Sequence, residues 1–217
     1  MHTPQHPREP EGPEPSAMDA VRLRRLNRWQ AEDLREDLAD LYVESSRSSP
    51  GEEFNGREAF LHRLAGDVQL PGFDMLVAEA EALTGCAYGA PVARDGSWWQ
   101  GFDGALPQNL EQLTASGHVF AITETVVHPH GQARRLARRL QERLLADHHA
   151  SLGVTLVDRS DGPVRAALTD WGWQDAGEIH RQPPGPTALR VMVLPLGGRT
   201  AEHPDGLAHD ARTQRPE

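Results

Sequence analysis

VVHPHGQARRLARRL, residues 126–140, is the stretch on which the reading of this chain turns. An apolar run stops at Pro129, and Arg134, Arg135, Arg138 and Arg139 follow within a helical pattern. Ala133, Leu136, Ala137, Leu140 and Leu144 recur every three or four positions, which predicts an amphipathic helix. The preceding HVFAITETVV (118–127) is apolar on both faces, as in a central strand covered on both sides. A strand that delivers its chain into a helix start presents free backbone N–H groups at the positive end of the helix dipole, a ready anion site. The same four arginines also read as the solvated face of a helix. Spacing alone leaves both readings open.

The rest of the chain bounds the answer. Its 217 residues suffice for one compact domain with appendages. Hydrophobic content is 38%, and the deficit concentrates at the ends. MHTPQHPREPEGPEPS opens the chain with prolines and glutamates and cannot bury enough apolar surface to offset its ordering entropy. Residues 1–17 and 197–217 are therefore read as disordered tails around a domain at 18–196. No apolar stretch approaches the roughly 20 residues of a membrane span, and no secretory signal is visible at the start. The single cysteine, Cys86, excludes an internal disulfide framework and fits a reducing cytoplasm. With 32 acidic against 22 basic residues, the chain suits cationic small molecules or peptides rather than nucleic acid.

Working outward, VRLRRL (21–26) alternates as a half-buried strand does, and residues 29–45 carry a helical stripe at Leu34, Leu38, Leu41 and Tyr42. Glu32 and Asp33 fall in the first turn of that helix, where they complement its dipole. A short helix is expected at 57–65, strands at 72–80 and 83–92, and a Gly-rich insertion at 93–117. Beyond the arginine helix come a strand at 153–158, a helix opening at Pro163 and stopping at Gly172, and a last strand at 188–196. This order predicts an α/β domain around a mixed sheet.

At this point the residues resemble a family. The segment 126–140 is similar to the acyl-CoA-binding signature of the GNAT superfamily of N-acetyltransferases, Q/R-x-x-G-x-G/A after V-x-P. The match runs through Val127, Pro129, Gln132 and Ala137, with Arg135 where glycine is usual, a degenerate form of the motif. TLVDRSDGPVRAALTDWGWQDAG, TGCAYGAPV and GSWWQG resemble the later elements and central hairpin of actinobacterial-type members. The resemblance spans about residues 20–196. It implies a mixed, mostly antiparallel central sheet with flanking helices and a V-shaped cofactor cleft. It also implies acetyl transfer from acetyl-CoA to a primary amine of a small molecule or peptide by direct attack. By the same resemblance, the backbone of Val126 and Val127 holds the pantetheine arm. The N–H groups of Gln132, Ala133, Arg134, Arg135, Leu136 and Ala137 hold the pyrophosphate. No metal, nucleic acid or membrane is implied, and a homodimer is compatible with it.

Glu124 is the candidate catalytic residue. Strict alternation places it on one face with Phe120, Ile122 and Val126, where burial would raise its pKa toward that of a useful base. A glutamate paired with an arginine in the core is the other reading, and the resemblance favours the base. Where the family often carries a tyrosine acid this chain has Leu168, and Asp161 replaces a common asparagine. Arg135 and Leu168 keep a second reading in view, a binding module without acyl transfer. A third is a transferase for a longer acyl-CoA, decided by the cleft near Cys86 and Tyr88. Trp98 and Trp99, on opposite faces of an extended insertion, are candidate acceptor contacts together with Tyr88. Asp147, His148 and His149 have the composition of a metal fragment but no third ligand in register, so a helix cap is the expectation.

Overall fold

The computed structural model describes residues 21–46, 53–181 and 187–197, with side chains from residue 56 in the second segment. Residues 1–17 and 198–217 of the expected disordered tails, and residues 18–20, 47–52 and 182–186 of the expected domain, lie outside these residues. Among the described residues, seven strands and six α-helices follow in the order β1 (Arg22–Leu26), α1 (Arg28–Asp33), α2 (Arg35–Ser45), α3 (Glu53–Asp67), β2 (Asp74–Glu79), β3 (Leu83–Pro91), α4 (Gln108–Ser116), β4 (Val119–Val127), α5 (Ala133–Asp147), β5 (Leu152–Asp158), α6 (Gly162–Asp170), β6 (Gln174–Arg181) and β7 (Thr187–Pro195). One sheet runs in the order β1-β2-β3-β4-β5-β7-β6. Every neighbouring pair is antiparallel except β4 and β5. This is the expected mixed, mostly antiparallel sheet.

Helices cover both faces. On one, Leu136, Leu140, Leu144 and Leu145 of α5 and Leu168 of α6 pack against Phe120, Ile122 and Met192. Burying each such leucine contributes roughly 1.5–3 kcal/mol, so the apolar stripe of α5 alone is a large part of what holds this face. On the other face, Ala31, Leu38, Leu41, Phe60 and Leu64 of α1–α3 pack over Met75, Val77, Cys86, Tyr88 and Val126. Farther along that face, Trp99 and Leu110 cover Val119, Ala121, Ile179 and Val191.

Several expectations shift in position. The helix expected at 29–45 is broken at Leu34, and Asn27 opens α1 with a capping box in which its side chain accepts from Gln30 N–H at 3.0 Å. Glu32 and Asp33 therefore close α1 instead of opening a helix. Glu36 and Asp37 take the dipole-complementing place in the first turn of α2. The helix expected at 57–65 extends over Glu53–Asp67. Two elements went unread. α4 lies in the Gly-rich insertion, and Gly117 ends it in the left-handed conformation at φ 77°. β6 is a polar edge strand whose charged side chains, Asp175 and Glu178 facing Arg190 on β7, hide its period.

At the centre of the sheet, Tyr88 pairs with Glu124 but Gly89 pairs with Ile122, so Thr123 is an extra residue, a β-bulge in β4. A Cβ on Gly89 would stand 1.9 Å from the Ala121 carbonyl oxygen, so only glycine fits opposite the bulge. Gly89→Ala is expected to destabilise the protein by about 2 kcal/mol or more, as overpacking against backbone does. A lowered urea midpoint with unchanged slope checks this.

Candidate active site

The bulge decides what β4 presents. Before it, Phe120 and Ile122 face α5. After it, the faces exchange: Thr125 Oγ1 accepts from Gln141 Nε2 of α5 at 3.1 Å, while Glu124 turns to α3 and Val126 joins the core beneath α1–α3. Glu124 thus shares a face with Val126, as strict alternation predicted, but not with Phe120 and Ile122. One inserted residue reverses a period of two.

β4 also leaves β5 at this point. Their parallel pairing runs only from Val119↔Leu152 to Ile122↔Thr155, where Thr155 Oγ1 donates to the Ile122 carbonyl at 2.9 Å. β4 stays with β3 as far as Val127, and β5 stays with β7 as far as Asp158. The two strands part in a V. His128 N–H donates to the Thr84 carbonyl at 2.9 Å. Counting back from that bond, Val126 and Glu124 turn their amides to β3, while Thr125 and Val127 turn theirs to the gap. Of the two residues expected along the gap, Val127 turns its amide to it and Val126 turns its amide to β3; Thr125 is the other residue whose amide faces the gap.

α5 begins at the mouth of the gap. Its first turn leaves fewer donors free than the motif suggests. Gln132 N–H donates to His130 Nδ1 at 3.1 Å, Ala133 N–H to the His130 carbonyl at 2.9 Å, and Leu136 N–H to the Gln132 carbonyl at 3.0 Å. Ala137 N–H is committed to the helix ladder. Arg134 and Arg135 keep the N–H groups without an intrahelical acceptor. The arginine side chains divide as well. Arg134 pairs with Asp170 at the end of α6, Arg138 with Glu142 at 2.9 Å, and Arg139 reaches the Val21 carbonyl at 3.5 Å. Arg135 is exposed, and no hydrogen bond or ion pair engages it among the described residues. An anion at this helix start meets two free N–H groups, the helix dipole and one uncommitted guanidinium.

Beside the bulge, Glu124 stands among titratable groups. Arg63 Nη2 lies 3.6 Å from its carboxylate, and the Arg63 guanidinium sits 5.4 Å from the centre of the Tyr42 ring. Burial pushes the Glu124 pKa up, and the Arg63 charge opposes that rise without cancelling it. The side chain keeps 27% of its surface open, so the carboxylate is enclosed but reachable. Tyr88, its cross-strand partner, buries a hydroxyl that has no hydrogen-bond partner among the described residues. Burial, and secondarily Glu124, raises the Tyr88 pKa. Burial likewise pushes the Cys86 thiol up to about 12, with Glu124 adding to the rise, so Cys86 stays protonated and is no nucleophile.

The remaining candidates take structural places. Trp98 and Trp99 lie in a 3-10 turn, Ser97–Trp99, and not on an extended chain. Trp99 is buried and donates its indole N–H to Thr114 Oγ1 at 2.9 Å, which removes it as an acceptor contact. Trp98 keeps a partly open ring, with the Arg181 guanidinium 5.2 Å from its centre. Leu168 is 3% exposed and belongs to the core under α5, so it offers no proton. Asp161 caps α6 by accepting from Val164 N–H at 3.0 Å. His148 is the C-cap of α5 and its Nε2 lies 2.7 Å from Asp74, and no metal cluster forms among the described residues. Arg63, Thr125 and the bulge itself were not read from the sequence. Gly89, an isolated glycine inside a strand pattern, was the available signal for the bulge.

The sequence matches no protein-family model and no curated protein. Solved structures do resemble the chain. A protein of the GNAT acetyltransferase family from Desulfovibrio desulfuricans superposes with a TM-score of 0.52 at 15% identity, over 81% of this chain and 99% of that one. An aminoglycoside 6'-acetyltransferase type Ii gives 0.54 at 12% identity, over 80% and 96%. The PaiA N-acetyltransferase from Thermoplasma acidophilum, solved in complex with coenzyme A, gives 0.51 at 12% identity, over 81% and 98%. The chain has the fold of the GNAT acetyltransferases.

The Glu124 environment has a consequence for stability. Its folded-state pKa lies above the unfolded value, so the folded protein binds the extra proton and stability falls as pH rises through that interval. Glu124→Gln removes the charge and keeps the shape. The variant is expected to melt no lower than wild type at pH 8, with its relative advantage shrinking toward pH 4. Thermal melts across pH check the sign.

Proposed function

We propose that this protein transfers an acetyl group from acetyl-CoA to a primary amine of a small molecule or peptide. The observation that supports this best is the parting of β4 from β5 beside a helix start with two free N–H groups. The gap offers backbone groups of Thr125 and Val127 to an amide-bearing arm, and the helix start offers Arg134 N–H, Arg135 N–H and the Arg135 side chain to phosphates. These residues fit the donor. When bound, acetyl-CoA supplies an activated thioester.

The chain's own residues supply the rest. An ammonium has no lone pair, so Glu124 takes a proton from the amine, for which its raised pKa suits it. A Thr125 or Val127 N–H directed into the gap stabilises charge developing on the thioester oxygen, an interaction typically worth a few kcal/mol. The N–C bond forms as the C–S bond breaks, and the thiolate takes its proton from water, since Leu168 has none. Cys86 and Tyr88 are buried in the core beneath α1–α3, which favours acetyl over a longer acyl chain. Arg135 in place of glycine and Leu168 in place of an acid also suit a binding module without transfer, so both readings are put to the same experiment.

Thiol release from acetyl-CoA with a panel of amines tests the proposal. Wild type is expected to turn over. Glu124→Gln is expected to lose about 10²–10⁴-fold at neutral pH while still binding CoA, the usual worth of a general base. CoA binding with no release for any amine would leave the binding module. Arg135→Ala is expected to weaken CoA by about 1.5–3 kcal/mol, the range of a charged hydrogen bond, and to flatten the salt dependence of binding. Calorimetry at two salt concentrations measures it. Tighter binding by Arg135→Gly would show the arginine to be a plug.

A further inference from the structure

We propose that the acceptor carries a carboxylate next to its amine, as a free α-amino acid does, and that Arg63 is the residue that reads it. This rests on acetyl transfer at Glu124. Arg63 and Asp67 lie one turn apart on α3, both near Glu124, and Arg63 Nη2 stands 3.6 Å from the Glu124 carboxylate. That distance is an ion-pair contact too long for a hydrogen bond. The guanidinium carries five donors in a planar fork, and the contacts to Glu124 and Tyr42 engage only part of it. Arg63 keeps 45% of its side chain exposed beside the enclosed Glu124 carboxylate.

An amine that gives its proton to Glu124 neutralises the carboxylate nearest to Arg63. A simple amine or polyamine then leaves that guanidinium without its counter-charge. A carboxylate one carbon from the amine supplies a replacement: the carboxylate meets the guanidinium fork while the amine faces Glu124, and the charges alternate. The separation of the two groups in an α-amino acid is comparable to the 3.6 Å between Arg63 and Glu124. Bidentate pairing of this kind is what distinguishes arginine from a point charge. Asp67 lies close enough to feel the Arg63 charge, which opposes the rise that burial gives its own pKa.

The test uses the full chain, acetyl-CoA and thiol release, with the twenty common α-amino acids, their α-amides and the corresponding decarboxylated amines. At least one free amino acid is expected to exceed its amide by about 10–100-fold in kcat/KM, the range for a charged hydrogen bond. Arg63→Gln is expected to bring that ratio near one, chiefly through KM, and Arg63→Lys to restore it in part. Thermal melts confirm that both variants fold. Amides or plain amines turning over as well as the free acids would overturn the proposal and leave acetyl transfer standing. So would Arg63→Gln lowering both substrates equally through kcat, which would make Arg63 only the counter-ion of Glu124. Absence of CoA binding heat and of turnover on every amine would instead remove the acetyl-transfer reading, and this proposal with it.

Discussion

The bulge at Thr123 is the constraint on which the site depends. A strand in mid-sheet ordinarily spends its backbone groups on both neighbours, leaving nothing for a ligand. Here an extra residue bends β4 with β3 and away from β5 just past Ile122, where the Thr155 hydroxyl ties the last paired carbonyl. Two consequences come from that one insertion. Thr125 and Val127 are left with amides facing a gap, and Glu124 moves to the face opposite α5. Amides lying in the plane of the sheet and a carboxylate on one of its faces are thereby brought to the same short stretch of β4.

The position of α5 follows from packing at its far end. Asp74, buried on β2, meets Arg25 at 2.9 Å and His148 at 2.7 Å, and Arg25 also reaches Asp147 at 3.0 Å. His148 stacks on Phe120 with ring centres 4.2 Å apart. A buried carboxylate is costly unless paired and hydrogen-bonded, and here it gathers β1, β2 and the end of α5 around itself. Leucines along the helix hold the middle. The first turn is left with open donors at the mouth of the gap.

Charge on the site side is also sorted by tertiary neighbours. Of the four arginines at the start of α5, three find an acid or a carbonyl, and the local field falls mostly to Arg135 and the helix end. On the other face, Arg63 tempers a carboxylate that burial would otherwise drive further toward neutrality. The excess of acid over base in the whole chain predicts neither arrangement. What matters is which charges the fold brings within a few ångströms.

Much of the fold was legible in the sequence because it rests on local periodicity. The both-sided apolar run before Pro129, the stripe of Ala133, Leu136, Leu140 and Leu144, and the Pro163 and Gly172 boundaries of α6 are properties of neighbouring residues, and the structure places each element where they indicate. β6 and α4 escaped because polar edge residues and glycines blur both periods. The sequence also marked Glu124 and the start of α5 as candidates. It could not say which face Glu124 takes, because the bulge is a relation between β3 and β4 and not a property of either. Nor could it say that Val126 turns away from the gap while Thr125 faces it, or that Arg63, 61 residues earlier, stands beside Glu124. Side-chain type and period are written along the chain. Strand register, and the pairs of charges it brings together, exist only once distant segments have met.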